Sequence, residues 1–159
     1  MDTVSKEVRS RNMSAIRSTN TKPELFLRKL LFSQGYRYRL YSKKLPGKPD
    51  LWLRKYNTAI FVHGCYWHRH QGCRLATTPS SNTEFWNTKF EKNTARDEKV
   101  YQLLKDKGIR VLIVWECTLK RMKSDKEYCQ SVLKQIKDFL HSDKENLIDY
   151  QAQLMAYHT

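Results

Sequence analysis

The order of hydrophobic and polar positions predicts three helices. The first should begin at Thr21 and stop at Gly35, because Thr21 and Glu24 have the spacing of a capping box and leucines recur at helical spacing after them. The second should cover 84–107, a long polar stretch that ends at a glycine, and the third should be an amphipathic helix over 128–140.

Four other stretches have the patterns of strands. Residues 36–41 alternate between apolar and polar, which indicates a half-exposed strand, and 50–53 should form a short strand after a Pro-Gly-Lys-Pro turn. Residues 58–62 form a continuously apolar strand after Thr58, so we expect both of its faces to be buried, and 109–115 should be another buried strand. The order helix, three strands, helix, strand, helix predicts an α/β (α+β) single domain with a mixed central sheet flanked by helices.

A chain of 159 residues is long enough for one domain with a real core, and a second domain would be cramped. We expect a flexible basic N-terminal arm over 1–20, a folded domain over 21–141 and a C-terminal tail over 142–159. The arm has little apolar periodicity. It is therefore either a frayed terminus or a segment that becomes ordered on DNA.

Charge and hydropathy narrow the class of protein. The 30 Lys and Arg residues outnumber the 16 Asp and Glu residues, which gives a formal charge of +14. This excess favours a nucleic acid as partner, since phosphate contacts supply affinity for any sequence; a merely soluble basic protein and an anionic membrane surface are the alternatives. No apolar run approaches the ~20 residues that cross a bilayer, and the N-terminus lacks the apolar core of a signal peptide, so we expect a cytoplasmic protein.

Three histidines and two cysteines lie within the eleven residues 63–73. Structural zinc sites usually have four nitrogen or sulfur ligands, and Cys65 and Cys73 would supply two. Cys117 follows a predicted buried strand, so the sheet could bring it close as another ligand. We choose His70 as the histidine because it lies between the two cysteines. The alternative is free thiols and surface histidines.

The remaining cysteine, Cys129, lies in the last predicted helix and should be an ordinary buried or half-buried residue. Disulfides are not expected in a chain without an export signal.

Candidate catalytic groups lie near the same segment. Asp50 opens a strand, where a carboxylate can hold Mg²⁺ against a DNA phosphate, although Asp is also common beside turns. His63 and His68 are candidates for a general base or acid, because the pKa of a free histidine lies near neutrality; each alone would more often be structural. Glu24 either caps its helix or supplies a functional carboxylate.

Several aromatic residues stand in polar surroundings, where they could stack on bases or wedge between them. The alternative is that they pack over the zinc loop. These residues are Tyr66, Trp67, Phe85 and Trp86.

Between about Arg9 and Leu119 the chain resembles the very short patch repair endonucleases, or Vsr type. The resemblance implies the core of type II restriction endonucleases with an added zinc site, so that 21–141 would be an endonuclease domain. Its members nick one strand of duplex DNA 5′ of the thymine in a T:G mismatch that arises when 5-methylcytosine deaminates. The strings that carry the likeness are RSRNMSAI, LPGKPDLWL, AIFVHGCYWHRHQGC, TEFWNTKFEKNTARD and GIRVLIVWECTL.

The same resemblance implies a role for individual residues. Asp50 and the backbone carbonyl of Val62 would bind Mg²⁺, and His68 would be the catalytic histidine. Asp97 and His63 would support His68, and Glu24 would position water or metal through its carboxylate. Zinc would be held by Cys65, His70, Cys73 and Cys117. The residues that intercalate would be Tyr66, Trp67 and Trp86, with Met13 entering from the other groove.

The chain departs from the pattern at three places. Phe61-Val62-His63 stands where nucleases of this fold have Glu-x-Lys, as in the Vsr type, but Val62 replaces a Thr and leaves only its backbone carbonyl as a ligand. Tyr66 replaces a Phe and adds a hydroxyl. One extra residue separates His70 from Cys73.

We expect a monomer, since a single-strand nick needs one active site, and mismatch-repair proteins are further candidate partners. The alternative function is a zinc-stabilised DNA-binding module that does not cleave, which would have no need of Asp50 with His68. A third is a nuclease of the same fold with a different target.

Overall fold

The computed structural model describes residues 4–14 and 19–142. The side chain of Met13 and residues 143–159 of the predicted tail lie outside this description. The helices and strands, in chain order, are α1 (Lys6–Ser14), α2 (Lys22–Ser33), β1 (Arg39–Leu40), β2 (Leu51–Leu53), β3 (Thr58–His63), α3 (Thr83–Asp106), β4 (Arg110–Trp115), α4 (Glu116–Ser124) and α5 (Lys126–Leu140), with a 3₁₀ turn at Arg54–Tyr56.

The strands form one four-stranded sheet in the order β1-β2-β3-β4. The pairs β1–β2 and β2–β3 are antiparallel, whereas β3 and β4 are parallel and pair from Thr58 with Arg110 to His63 with Trp115. Parallel strands need a long crossover, and here it contains α3. The predicted mixed α/β domain is confirmed, and the parallel pairing brings the ends of β3 and β4 to the same edge.

The sheet is buried on both faces. Along β3, Ile60 faces a cluster of side chains from α2, α4 and α5, while Ala59 and Phe61 face a second cluster beneath α3. In β4, Leu112 belongs to the first cluster and Ile113 to the second. The expectations that β3 is buried on both faces and that β4 is a buried strand are therefore confirmed.

Local signals fix the ends of α2. The Thr21 hydroxyl accepts a hydrogen bond from the Glu24 backbone N–H at 3.4 Å, as the predicted cap requires. The Glu24 carboxylate, however, accepts from the backbone N–H of Asn20 and not from that of Thr21. Gly35 follows the helix with a left-handed φ of 89°, which a glycine adopts without steric cost.

Three features differ from the expectations. The strand predicted over 36–41 is reduced to β1, and the left-handed φ of 47° at Tyr41 ends the extended backbone after Leu40. A helix, α1, lies within the predicted N-terminal arm, and α4 separates β4 from α5. Within the described part of the chain, no helix is both long and apolar enough to cross a membrane.

Candidate active site and metal cluster

A cleft of about 610 Å³ opens at the edge where β3 ends. It lies between the start of α2, the segment after β3 and the middle of α3. Its lining includes Glu24, Asp50, Val62, His68, Asp97 and Glu116, together with the cations Lys89 and Arg96. The fold therefore gathers acids, a histidine and cations from separate parts of the chain.

Asp50 and Glu24 form an acidic pair in this cleft. The backbone N–H of Val62 donates to Asp50 Oδ2 at 2.7 Å, which ties the carboxylate to β3. Burial raises the pKa of Asp50 to about 8, helped by the adjoining Glu24 carboxyl. Two carboxyls this close favour a bound cation, which would relieve their repulsion.

Glu24 is only 2 % exposed and is held by three donors at one oxygen, Oε2. The Arg28 guanidinium donates from Nη2 at 2.9 Å, the Tyr41 hydroxyl donates at 2.5 Å and the Asn20 N–H donates at 2.8 Å. Arg28 also donates from Nη1 to the Asn20 side-chain carbonyl at 2.9 Å. The carboxylate is thus fixed in rotation as well as in position.

The histidines of the cleft are ordered through α3. His68 Nδ1 lies 2.6 Å from Asp97 Oδ2, and its ring stacks on His63 with centroids 3.8 Å apart. His63 Nε2 contacts the Tyr101 hydroxyl, one helical turn after Asp97. Burial lowers the pKa of His63 well below its usual value, with a further contribution from His68, so His63 is neutral at pH 7.

A second cluster lies on the same segment. One ligand atom from each of Cys65, His70, Cys73 and Cys117 lies within 4.8 Å of all the others. His70 Nδ1 is 3.6 Å from Cys65 Sγ and 3.4 Å from Cys117 Sγ, and its ring stacks on Trp115.

One thiol of this cluster, Cys117, is held in the form that binds a metal. A hydrogen bond from Cys65, aided by His70, lowers the pKa of Cys117 to about 3, and the same hydrogen bond raises the pKa of Cys65. A thiolate is the metal-binding form of cysteine. Three sulfurs and one imidazole nitrogen are a donor set that zinc accepts. By contrast, Cys129 is half-buried and packs on the other face of the sheet, as expected.

An aromatic cluster borders the cleft. Tyr66 contacts both Trp67 and Trp86 edge-on, with ring centroids 5.1 and 6.1 Å apart. The Lys89 ammonium lies over both indoles, at 5.1 and 5.7 Å from their centroids. Trp86 is 9 % exposed, whereas its neighbour Phe85 is 60 % exposed.

The sequence of this chain is similar to those of several known proteins. The family model described as DNA mismatch endonuclease Vsr matches residues 1–74. The DNA mismatch endonuclease Vsr of Escherichia coli K12 is 44 % identical over 119 residues, which is 75 % of this chain and 76 % of that protein. The chain belongs to the Vsr family. The Type II nicking enzyme V.NmeAIP of Neisseria meningitidis is 45 % identical over 130 residues, or 82 % of this chain and 92 % of that protein.

V.XorIIP of Xanthomonas oryzae, another Type II nicking enzyme, is 46 % identical over 118 residues, or 74 % of this chain and 86 % of that protein.

The structure brings together nearly all the residues for which the Vsr resemblance implies a role. They form three adjoining groups: the cleft, the thiol cluster and the aromatic cluster. Met13 is the exception, since its side chain lies outside the described residues.

The sequence analysis missed Arg28, Tyr41 and Tyr101. The four-residue spacings of Glu24 to Arg28 and of Asp97 to Tyr101 on helices were the available signals.

Proposed function

We propose that the protein nicks one strand of duplex DNA 5′ of the thymine in a T:G mismatch left by deamination of 5-methylcytosine, and so starts very short patch repair. Membership of the Vsr family supports a DNA mismatch endonuclease. The observation that carries the proposal is the convergence of the Asp50–Glu24 pair and the His68–Asp97 pair on one cleft. The formal charge of +14 supports duplex DNA as the partner.

The acidic pair fits a divalent cation such as Mg²⁺, which prefers oxygen ligands. Asp50 offers a carboxylate. Because the N–H and C=O of one residue in a strand point to the same side, the Val62 carbonyl faces the side on which its N–H meets Asp50. When bound, Mg²⁺ supplies charge stabilisation at the phosphate that is cut.

His68 is suited to move a proton. Its contact with Asp97 favours the tautomer with hydrogen on Nδ1, so Nε2 carries a lone pair. In the proposed reaction Nε2 takes a proton from water and the water oxygen forms a bond to phosphorus. The phosphodiester P–O bond breaks, and the leaving sugar oxygen keeps the electron pair and takes a proton from solvent. Asp97 stabilises the imidazolium that results, and the neutral His63 ring holds His68 in plane.

The thiol cluster would hold a structural zinc. Four protein ligands leave no open position, which is the arrangement of structural sites. Zinc would tie the segment that carries His68 to Cys117 at the start of α4. The sheet with its flanking helices would then be a restriction-endonuclease-like core with this site added.

The aromatic cluster would open the mismatch. Tyr66, Trp67 and Trp86 would wedge between bases, with Lys89 beside them for the phosphates. Unstacking costs least at a mismatched pair, which is one source of selectivity. One active site suffices for a nick, so the proposed enzyme acts as a monomer.

The test uses T:G and C:G duplexes whose two strands carry different labels. We expect cutting only of the thymine strand of the T:G duplex, with Mg²⁺ present and not with EDTA. Asp50→Ala should remove cutting but keep T:G binding, because phosphate contacts elsewhere supply most of the affinity. Binding without cutting by the unaltered protein would instead favour the non-cleaving DNA-binding module, and normal cutting by Asp50→Ala would remove Asp50 from the mechanism.

A further inference from the structure

Glu24 is held far more firmly than a helix cap requires. A cap needs only the Thr21 hydroxyl, which already accepts from the Glu24 N–H. Yet Arg28, Tyr41 and the Asn20 N–H all donate to Glu24 Oε2. All three hydrogen bonds end at Oε2 and none at Oε1, while the Glu24 carboxyl also meets Asp50 in the cleft.

The donors are also linked to one another. Arg28 Nη2 donates to the Tyr41 hydroxyl at 2.5 Å, and Nη1 donates to the Asn20 side chain. The Asn20 N–H lies 2.8 Å from the Tyr41 hydroxyl as well. A planar guanidinium can bond several acceptors at once in a fixed geometry, which a lysine ammonium cannot.

Two residues of this network have a left-handed backbone. Asn20 has a φ of 56° and Tyr41 a φ of 47°, although neither is a glycine. A bulky side chain is seldom left-handed, and such residues persist where the surroundings hold them, often at functional sites. Asparagine adopts this conformation readily, so the strain lies at Tyr41, and both residues donate to Glu24.

Charge explains why a cation belongs in this network. Glu24 is buried next to Asp50, and one guanidinium can offset only one of two carboxylates. The Arg28 side chain is 10 % exposed and pairs with Glu24 at 2.9 Å. For both carboxyls to be ionised together, a second positive charge is needed in the cleft, and a bound cation would supply it.

We propose that Arg28 and Tyr41 are positioning residues, which fix Glu24 so that Oε1 faces the divalent cation held at Asp50. This inference rests on the proposed function, because it assumes that the cleft binds a divalent cation. In this proposal the network stops the Glu24 carboxylate from rotating and keeps it turned towards the cation.

Tyr41→Phe is the sharpest variant, since it removes only the hydroxyl. We expect it to weaken the binding of Mn²⁺, followed by electron paramagnetic resonance, by about tenfold, as for the loss of other partners that orient metal ligands. Asp50→Ala gives the background. The Mg²⁺ concentration for half-maximal nicking should rise by a similar factor, while saturating Mg²⁺ restores the rate.

Tyr38→Phe is the matched control. Its hydroxyl donates to the backbone carbonyl of Arg28 at 3.0 Å and so belongs to the same helix–strand contact without touching Glu24. We expect Mn²⁺ binding to be unchanged in this variant. Arg28→Lys keeps the charge but loses the planar fork, and should weaken Mn²⁺ binding as Tyr41→Phe does.

The proposal is overturned if Tyr41→Phe and Arg28→Lys bind Mn²⁺ like the unaltered protein, or if Tyr38→Phe weakens binding equally. Failure of the proposed function looks different. In that case the unaltered protein would not nick T:G duplexes, yet Tyr41→Phe would still weaken Mn²⁺ binding relative to Tyr38→Phe.

Discussion

The segment after β3 contributes to two clusters that differ in access. His68 lines the open cleft, is half-buried and contacts Asp97 on α3, while its ring stacks on the buried His63 at the end of β3. His68, Asp97 and His63 are called the open cluster below. Cys65 and His70 turn inwards, with 0 % and 4 % exposure, towards Cys117 and the Trp115 ring.

Closed clusters of four protein ligands suit structural metals, whereas catalytic sites keep room for substrate. Neighbouring residues of one segment can therefore serve two roles, some in a structural metal site and others in catalysis. Damage to the closed cluster of Cys65, His70, Cys73 and Cys117 should cost folding free energy, and damage to the open cluster should lower the nicking rate.

The largest effect is expected at the open cluster. His68→Ala should lower the nicking rate at T:G by about 10²- to 10⁴-fold, the range that general acid–base catalysis contributes. The melting temperature should hardly change, because His68 is only half-buried. Single-turnover nicking and a thermal melt give the two quantities.

His141→Ala is the control. His141 follows the end of α5, is hydrogen-bonded to the Tyr36 hydroxyl and lies away from the cleft. Equal rate losses in the two variants would remove His68 from the chemistry.

At the closed cluster, we compare Cys117→Ser with Cys129→Ser. Cys117→Ser should lose bound zinc and destabilise the fold by about 3 kcal/mol or more, or roughly 6–12 °C in melting temperature for a domain of this size. Cys129→Ser should keep zinc and cost about 1 kcal/mol, the typical effect of a point substitution. Metal analysis and thermal melts measure both. The division between the clusters fails if the two variants melt alike and keep equal zinc.

The smallest effect is expected for DNA binding by the aromatic cluster. Trp67→Ala should weaken binding to T:G duplexes by about tenfold, since a stacked ring is worth roughly 1–3 kcal/mol, and should leave C:G binding nearly unchanged. Trp86→Ala should also weaken T:G binding about tenfold, but its burial adds roughly 3–5 kcal/mol of lost stability. Binding to both duplexes and thermal melts separate these effects. Parallel loss of stability and of all binding in both variants would assign both rings to the core.

Most of the fold could be predicted because its signals are local. Continuous apolar runs marked β3 and β4, and helical spacing marked α2 and α5. The helix α4 was missed because it is short and begins directly after Trp115 without a side-chain cap, and α1 because it has no apolar face.

The candidate site was predictable only in part. The density of His and Cys between 63 and 73 marked both clusters. The network around Glu24 was not visible, because Arg28 and Tyr41 meet it through chain geometry that includes a left-handed tyrosine. Hydrogen bonds between separate elements leave no periodic trace in a sequence.

The parallel pairing of β3 with β4 also affects when the thiol cluster can form as the protein is made and folds. Cys73 and Cys117 are separated along the chain by all of α3 and β4, so the closed cluster is a contact of high sequence separation. Closing such a long loop costs conformational entropy before the contact itself stabilises the chain. Contacts of this kind therefore slow the folding reaction. During synthesis, Cys117 at the start of α4 must therefore leave the ribosome before it can join Cys65, His70 and Cys73, so the closed cluster is completed only after β4 has been made.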